Sequence, residues 1–398
     1  VYYYPLQLIE IPSLLIIFDA MPLTTDLLVF ILFAFFIAIQ VFYYLFFFSR
    51  LAFYKKKNTE LPTPKVPVSI IVCAFNEEAN LMKNLPILLN QNYLKNGKPF
   101  FEVVVVNDNS EDGTFYLLNQ LQEQYVHLHV VNLTQEAKLI TGKKFPLSMG
   151  IKSAHCEHLI LTDADCIPAS EHWLAHMAAS FSSTKKIVLG YSPYTKYSGW
   201  LNKKIQFETA HTALQYLSYA LAGTPYMGVG RNLAYMRDLF NANKGFSSHH
   251  HLISGDDDLF INQIANSDNT TICIDPEAFT YSEPKKTEED WHYQKKRHLS
   301  TGKYYKCRHK LLLGLYAFSH FALWASFIAC IVFPAMIMYT CILFVFRWLV
   351  QWYIFQRSFG LLKQKELINY IWVFDIWLLY YNLKSLPLIF IKSKIHWK

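Results

Sequence analysis

The sequence predicts an α/β domain with a mostly parallel sheet and flanking helices, joined to transmembrane α-helices at both ends of the chain. Three observations lead there. Of the 398 residues, 53% are hydrophobic and only 17% are charged, against about 25% in an ordinary soluble protein. That composition excludes a disordered chain and argues against a wholly soluble one. The apolar excess is concentrated near the two ends. The stretch between, residues 55–310, reads as a globular block in which short β-branched runs alternate with helical segments, the pattern of a parallel sheet covered by helices.

The membrane segments come first. Residues 27–48 are 22 in a row without a formal charge, which as a helix spans roughly 33 Å, enough for a bilayer core. They belong to an N-terminal segment, residues 1–54. Residues 311–346 are 36 without a formal charge, too many for one span, and Pro334 sits near their middle. The expectation is a helical hairpin over 311–356, with spans at about 311–333 and 334–355. Arg347 is expected near the exit of the second, where a long side chain snorkels to the headgroups. The C-terminal segment, 357–398, contains a further apolar stretch at 367–391 that carries Asp375, Asn382, Lys384 and Pro387. It reads as an amphipathic helix lying in the interface.

Basic clusters set the expected orientation. Arg50, Lys55, Lys56 and Lys57 follow the first span; Lys295, Lys296, Arg297, Lys303, Lys306, Arg308 and Lys310 precede the hairpin; Arg357, Lys363 and Lys365 follow it. By the positive-inside rule these sides, and the globular block, are cytoplasmic. Lys392, Lys394 and Lys398 place the C-terminus there too, provided that 367–391 does not cross. The net charge of +7 is therefore read as membrane-facing. No helix-turn-helix, zinc-finger or RNA-binding signature points to nucleic acid. The chain opens on Val1, and Met21 stands just before the first span, so residues 1–20 are read as an upstream extension. The seven cysteines form no CxxC pair and are expected as free thiols in a reducing compartment.

In the globular block, strands are expected at 68–74, 101–106, 127–131 and 158–162, with helices opening near Asn76, Glu111 and Lys144. In open sheets of this kind ligands sit at the C-terminal strand ends. The polar residues fall there: Asn76 and Glu77, then Asn107, Asp108 and Asn109, then Asp163 and Asp165.

Asp163-Ala-Asp165 can hold a hard divalent ion through oxygen ligands, or can be an ordinary strand-end turn. Asp108 is either a solvated turn residue before a capped helix or an acceptor for a base or ribose. The run Asp256, Asp257, Asp258 suits a solvated loop, an ion site, a helix N-terminus or, in the sharper reading, a catalytic base. Gln294 and Arg297, at i and i+3 on one helix face, could clamp a diphosphate in a segment that also anchors to the membrane. His249, His250 and His251 read as a loop, because consecutive residues do not converge on one ion. The Tyr-rich segment 191–226 is expected to face an acceptor.

Taken in order, these elements resemble the membrane-bound branch of the family-two glycosyltransferases, GT-A (Rossmann-like) enzymes that use nucleotide-sugar donors. The resemblance covers about 68–300 and rests on the first strand with Asn76 and Glu77, on Asn107 to Gly113, on Gly142-Lys143-Lys144, on Asp163-Ala-Asp165, on Gly228 to Asn232, on Gly255 to Leu259, and on Gln294 to Arg297. It implies that Ala74, Asn76, Glu77 and Asp108 surround the nucleoside and that Lys143 lies near the donor phosphates. Asp163 and Asp165 would frame the ribose, the diphosphate and a Mg2+ or Mn2+ ion, with Asp165 the direct ligand. Asp256 would be the catalytic base, and Gln294 and Arg297 the QxxRW element. Two positions depart from the family pattern: Gly255 stands where a Glu precedes the base, and His298 stands where a Trp follows the Arg.

The resemblance implies an inverting transfer from a nucleotide-sugar, of the UDP-sugar type, to a lipid or membrane-associated glycan acceptor at a bacterial plasma membrane, as in cell-envelope glycan biosynthesis. Ceramide-glucosyltransferase-like single addition is weighed against a processive polysaccharide synthase, for which three spans are few. A transporter or scaffold would place ionisable residues inside the spans, where the sequence offers only Arg347 and His320. A P-loop NTPase is excluded, because Gly142-Lys143-Lys144 lacks the GxxxxGK[ST] frame.

Overall fold

The computed structural model describes residues 24–55, 61–134 and 142–390. The expectations for residues 1–20 and Met21, for Lys56 and Lys57, and for Lys392, Lys394 and Lys398 fall outside them. The central sheet has seven strands: β1 (Val68–Ala74), β2 (Phe101–Asp108), β3 (Leu128–Leu133), β4 (His158–Asp163), β5 (Ile187–Gly190), β6 (Leu233–Met236) and β7 (Thr270–Cys273), in the order β7-β5-β6-β4-β1-β2-β3. β4, β1, β2 and β3 are parallel, as are β5 and β7; only β6 runs against its neighbours β4 and β5. The four strands read from the sequence form with ends shifted by no more than two residues.

The continuous apolar runs follow from burial on both faces. Every residue of β1 and β2 is buried. Ile70 and Val72 belong to one hydrophobic cluster and Ile71 to another on the opposite face. Each such side chain contributes roughly 1.5–3 kcal/mol on burial, so these strands take the centre of the sheet and leave β3, with two of its six residues polar and only Leu128 fully buried, at the edge. The helix Lys144–Ser153 packs on one face, with Gly150 letting it approach Ile71 and Val106.

Among the described residues three helical stretches, Thr25–Ala52, Cys307–Val332 and Pro334–Leu361, are long and apolar enough to cross a membrane. The hairpin turns at Pro334–Met336, as its proline predicts. The core does not stop at the block's edge. One hydrophobic cluster joins Ile71 and Leu161 of the sheet, Phe207 and Leu217 of the buried helix Trp200–Leu221, and Tyr44, Phe48, Phe355 and Phe359 of the spans. Phe207 stacks on Phe374 at 4.3 Å between centroids.

Arg347 corrects the sequence reading. It does not snorkel: its exposure is 0%, and its guanidinium meets both carboxylate oxygens of Asp375 at 3.0 Å. Asp375 lies in the helix Ile371–Phe390, within the stretch expected to lie in the interface. That helix turns Asp375 inward and leaves Trp372, Ile376, Tyr380, Leu383 and Leu386 exposed, an apolar stripe suited to lipid. The sequence reading counted ionisable groups along the spans and could not see a counter-ion 28 residues away. His320 also reaches Asp375, at 3.2 Å. All seven cysteines are free, as expected.

Candidate active site

The C-terminal ends of β1 and β4 open into a cavity of about 530 Å³. Seven of the residues singled out in the sequence line it: Glu77, Lys143, Asp163, Asp165, Asp256, Gln294 and Arg297. Ala74, Asn76 and Asp108 stand beside it instead. Ala74 ends β1 and pairs with Asn107 across the sheet. Asp108 is buried at the end of β2. Asn76, at φ +55°, accepts from Glu111 N–H at 2.8 Å and offers its own N–H to Ser110 Oγ at 3.0 Å, so it knits the two strand-end loops together. Asp112 tightens the same junction by accepting from Glu78 and Thr114 N–H groups.

The two carboxylates of Asp163-Ala-Asp165 differ in surroundings. Lys143, at the start of the helix Lys144–Ser153, is ion-paired with Asp163. Enclosure in the cleft opposes the Asp163 charge, but the Lys143 ammonium more than offsets this and holds the carboxyl below its usual range. Asp165 goes the other way: enclosure and the neighbouring Asp163 push it up. Ser282 donates to Asp165 at 2.9 Å, and the buried Cys166 thiol contacts its other oxygen at 3.5 Å. Burial pushes the Cys166 thiol well up, so it stays protonated and orients Asp165 without competing for a cation. Two carboxylate oxygens close enough to share one ion form the donor set of a hard dication.

Of the three consecutive aspartates, two are occupied. Asp257 caps the helix Asp258–Ile264 and accepts from the N–H groups of Gly230 at 2.8 Å and Asp258 at 2.7 Å. Burial and its two acidic neighbours push its carboxyl up to about 7. Asp258 is buried and accepts from the Thr301 hydroxyl and, at 2.7 Å, from Tyr305 just before the hairpin. Asp256, also in the cavity wall, makes no such structural bond among the described residues.

The local chain explains Gly255. Its φ is +105°, and a Cβ there would lie 2.6 Å from Leu259 Cδ1. The turn that presents Asp256 therefore has no room for the Glu of the family pattern. Gly142 packs just as closely, with a would-be Cβ 2.4 Å from the Ile253 carbonyl. Lys144, fully buried, donates to the carbonyls of Leu252 and, at 2.7 Å, Ser254. The Gly142-Lys143-Lys144 element thus reaches both Asp163 and the Asp256 turn. Sequence reasoning assigned only Lys143; its neighbour's role depends on a contact 110 residues away.

The helix Glu288–Leu299 supplies Gln294 and Arg297. Thr287 caps it by accepting from Asp290 N–H at 3.1 Å, and its acidic first turn and basic last turn suit the helix dipole. Arg231 is the residue the sequence reading left without a role. Its carbonyl is held by Thr162 at 3.0 Å and Thr280 at 2.9 Å, and its guanidinium lies 4.2 Å over the Tyr194 ring in the cavity. Arg231 Nη1 and Arg297 Nε are buried without a hydrogen-bond partner. Such orphaned cationic donors suit the oxygens of an anionic ligand.

Segment 191–226 is mostly core: Tyr191, Tyr216, Tyr219 and Tyr226 are buried. The wall it gives the cavity includes Tyr194, Glu208, Thr209 and Thr212, and the helix carrying the last three packs on the apolar helices through Phe207 and His211. His249, His250 and His251 do not converge. His249 is buried beside Ser248 Oγ at 2.9 Å, and His250 meets the Ser247 carbonyl at 2.8 Å.

A mostly parallel sheet with paired carboxylates and unspent cationic donors at its strand ends defines a nucleotide-sugar-type α/β domain of the GT-A class. Residues 69–243 match the model of Glycosyl transferase family 2. The β-monoglucosyldiacylglycerol synthase of Trichormus variabilis is 36% identical over 118 residues, 30% of this chain and 24% of that protein. A dolichyl-phosphate β-glucosyltransferase, ALG5D, of Trichomonas vaginalis is 32% identical over 111 residues, 27% of this chain and 33% of that one. The matched stretches thus span about a quarter to a third of these relatives. The fold is shared with the mannosyltransferase PcManGT of Pyrobaculum calidifontis, solved with GDP-Man and Mn2+, at a TM-score of 0.54 and 18% identity, covering 88% of this chain and 99% of that one.

Proposed function

We propose that this chain is an inverting glycosyltransferase that moves one sugar from a nucleoside-diphosphate donor of the UDP-sugar type to a lipid or lipid-linked acceptor. The observation that carries the reading is the single cavity that gathers Lys143, Asp163, Asp165, Asp256, Gln294 and Arg297 from four separate stretches of chain.

A sugar hydroxyl is a poor nucleophile, so a carboxylate must take its proton as the bond to C1 forms. Asp256 fills that role, since Asp257 and Asp258 are committed to holding the turn. The O–C1 bond forms as the C1–phosphate bond breaks on the opposite face, which inverts the anomeric centre. The leaving diphosphate gains negative charge, and Lys143, Arg231 and Arg297 line the cavity to meet it. Asp163 and Asp165 would hold a Mg2+ or Mn2+ ion, which supplies Lewis-acid stabilisation of that charge. Ala74, Asn76, Glu77 and Asp108 shape the nucleoside side, with Asn76 acting through the loops it ties together.

The acceptor side is read from the cavity wall whose helix packs on the apolar helices, and from two relatives whose names specify lipid acceptors. In this reading residues 55–310 are the catalytic block. The segments 1–54, 311–356 and 357–398 hold it on the cytoplasmic side of a plasma membrane.

The test is to incubate the full chain in lipid with a panel of nucleotide-sugars, Mn2+ and membrane lipids, and to read products by mass spectrometry. One added sugar supports the proposal, and a ladder of products indicates a processive synthase. No transfer with any donor, or unchanged turnover after Asp256→Asn, would sink it.

A further inference from the structure

The strongest cluster of ligating side chains outside the cavity lies at the other end of the sheet. We propose that Glu102, His129 and His155 form a second metal site, for a borderline transition-metal dication of the Zn2+ type.

Glu102 is the second residue of β2, His129 the second of β3, and His155 follows the helix Lys144–Ser153. Glu102 Oε2 lies 2.7 Å from His155 Nδ1 and 3.1 Å from His129 Nε2. The three ligand atoms all fall within 4.8 Å of one another. Tetrahedral zinc, with bonds of about 2.0–2.1 Å, sets its ligand atoms roughly 3.3–3.4 Å apart. The Glu102–His129 contact needs to open by roughly 0.2–0.3 Å and the Glu102–His155 contact by roughly 0.6–0.7 Å. The histidines can supply that movement, because their side chains are 41% (His129) and 73% (His155) exposed.

The carboxylate is already oriented. Its other oxygen accepts from Ser69 Oγ at 2.5 Å and from His155 N–H at 2.6 Å, and Ser69 Oγ in turn accepts from Cys156 N–H at 3.1 Å. A buried carboxylate fixed from behind by hydroxyl and amide, with two imidazoles in front and open access, is the three-ligand arrangement that leaves a fourth position free. Two imidazole nitrogens favour Zn2+, Co2+ or Ni2+ over Mg2+, whereas the oxygen-only pair Asp163 and Asp165 favours the harder ions. The two sites share no residue. A dication here would tie together β2, β3 and the end of the helix that begins at Lys144.

The test uses the full chain in detergent, stripped with a chelator and dialysed. Co2+ is titrated with visible absorption as readout, and thermal unfolding is followed with and without Zn2+. The wild type is expected to take up one equivalent of Co2+ with imidazole-type bands and to gain several degrees in its Zn2+ midpoint. The double variant His129→Ala/His155→Ala is expected to lose both responses while its sugar transfer in Mn2+ is unchanged. His129→Gln and His155→Asn keep polar partners for Glu102 and should each weaken uptake roughly tenfold or more, so a folding defect in the double variant would not decide the matter. A Zn2+ shift of equal size in these variants, or no saturable Co2+ uptake by the wild type, overturns the site. In that case the cluster is only a hydrogen-bonded carboxylate.

Discussion

The Arg347 guanidinium grips the Asp375 carboxylate through two parallel contacts of 3.0 Å, inside the helical part of the chain. Gln351 adds a bond of 2.8 Å to the same carboxylate, and Tyr44 of the first span approaches Arg347 at 2.8 Å. The pair therefore links all the apolar segments: the first span, the hairpin and the C-terminal helix. Asp375→Ala should cost about 3–5 kcal/mol, because it strands a buried charge. The double variant Arg347→Met/Asp375→Leu should recover most of that loss. Thermal unfolding in detergent is the measurement, and equal destabilisation by both would contradict the charge-stranding account.

Gly255 yields a sharper prediction. Restoring the family's acidic residue with Gly255→Glu should lower both activity and stability. The residue sits at φ +105° with Leu259 at 2.6 Å from any Cβ, and such backbone strain costs on the order of 1–3 kcal/mol. Higher turnover in this variant would mean that the turn is softer than the geometry indicates.

Lys144 should act on catalysis without touching the substrate. Lys144→Met leaves the Leu252 and Ser254 carbonyls without their donor and frees the turn that carries Asp256. Misplacement of a reacting group by about 1 Å can cost on the order of 10²-fold. The expected signature is a fall of that order in kcat with donor KM nearly unchanged. A rise in donor KM alone would place Lys144 on the phosphates instead.

Asp257 should leave a mark on the pH dependence of stability. Its carboxyl is pushed up to about 7, above the ordinary 3.8. A raised acid binds its proton more tightly when folded, so its contribution is fully present below the ordinary value and is lost as pH rises through about 7. Asp257→Asn keeps an acceptor for Gly230 and removes the charge. Its stability relative to wild type should therefore grow between pH 5 and pH 8, as read from unfolding midpoints. A constant difference across that range would refute the assignment.

Much of this was legible in the chain. Continuous apolar strands marked the sheet because both of its faces are covered, and strand-end polar residues marked the cavity because side chains are forced outward there. The local signal of Pro334 in an apolar run marked where the hairpin turns. Asn76 shows the limit. Its position in the motif was visible, but its bonds to Ser110 and Glu111 were not, because loop closure depends on a strand 25 residues further on.

By itself the sequence determined the class of fold, the three apolar stretches long enough to cross a membrane and seven of the residues that line the cavity, since periodicity, charge-free length and motif order are properties of the chain alone. Only the tertiary structure decided which of three adjacent aspartates are tied up in holding the turn, why glycine stands at 255, and that Arg347 is paired and not exposed. These are contacts between distant segments, and burial makes each of them decisive: an unpaired charge or an added Cβ is tolerated at a surface but not in a packed interior.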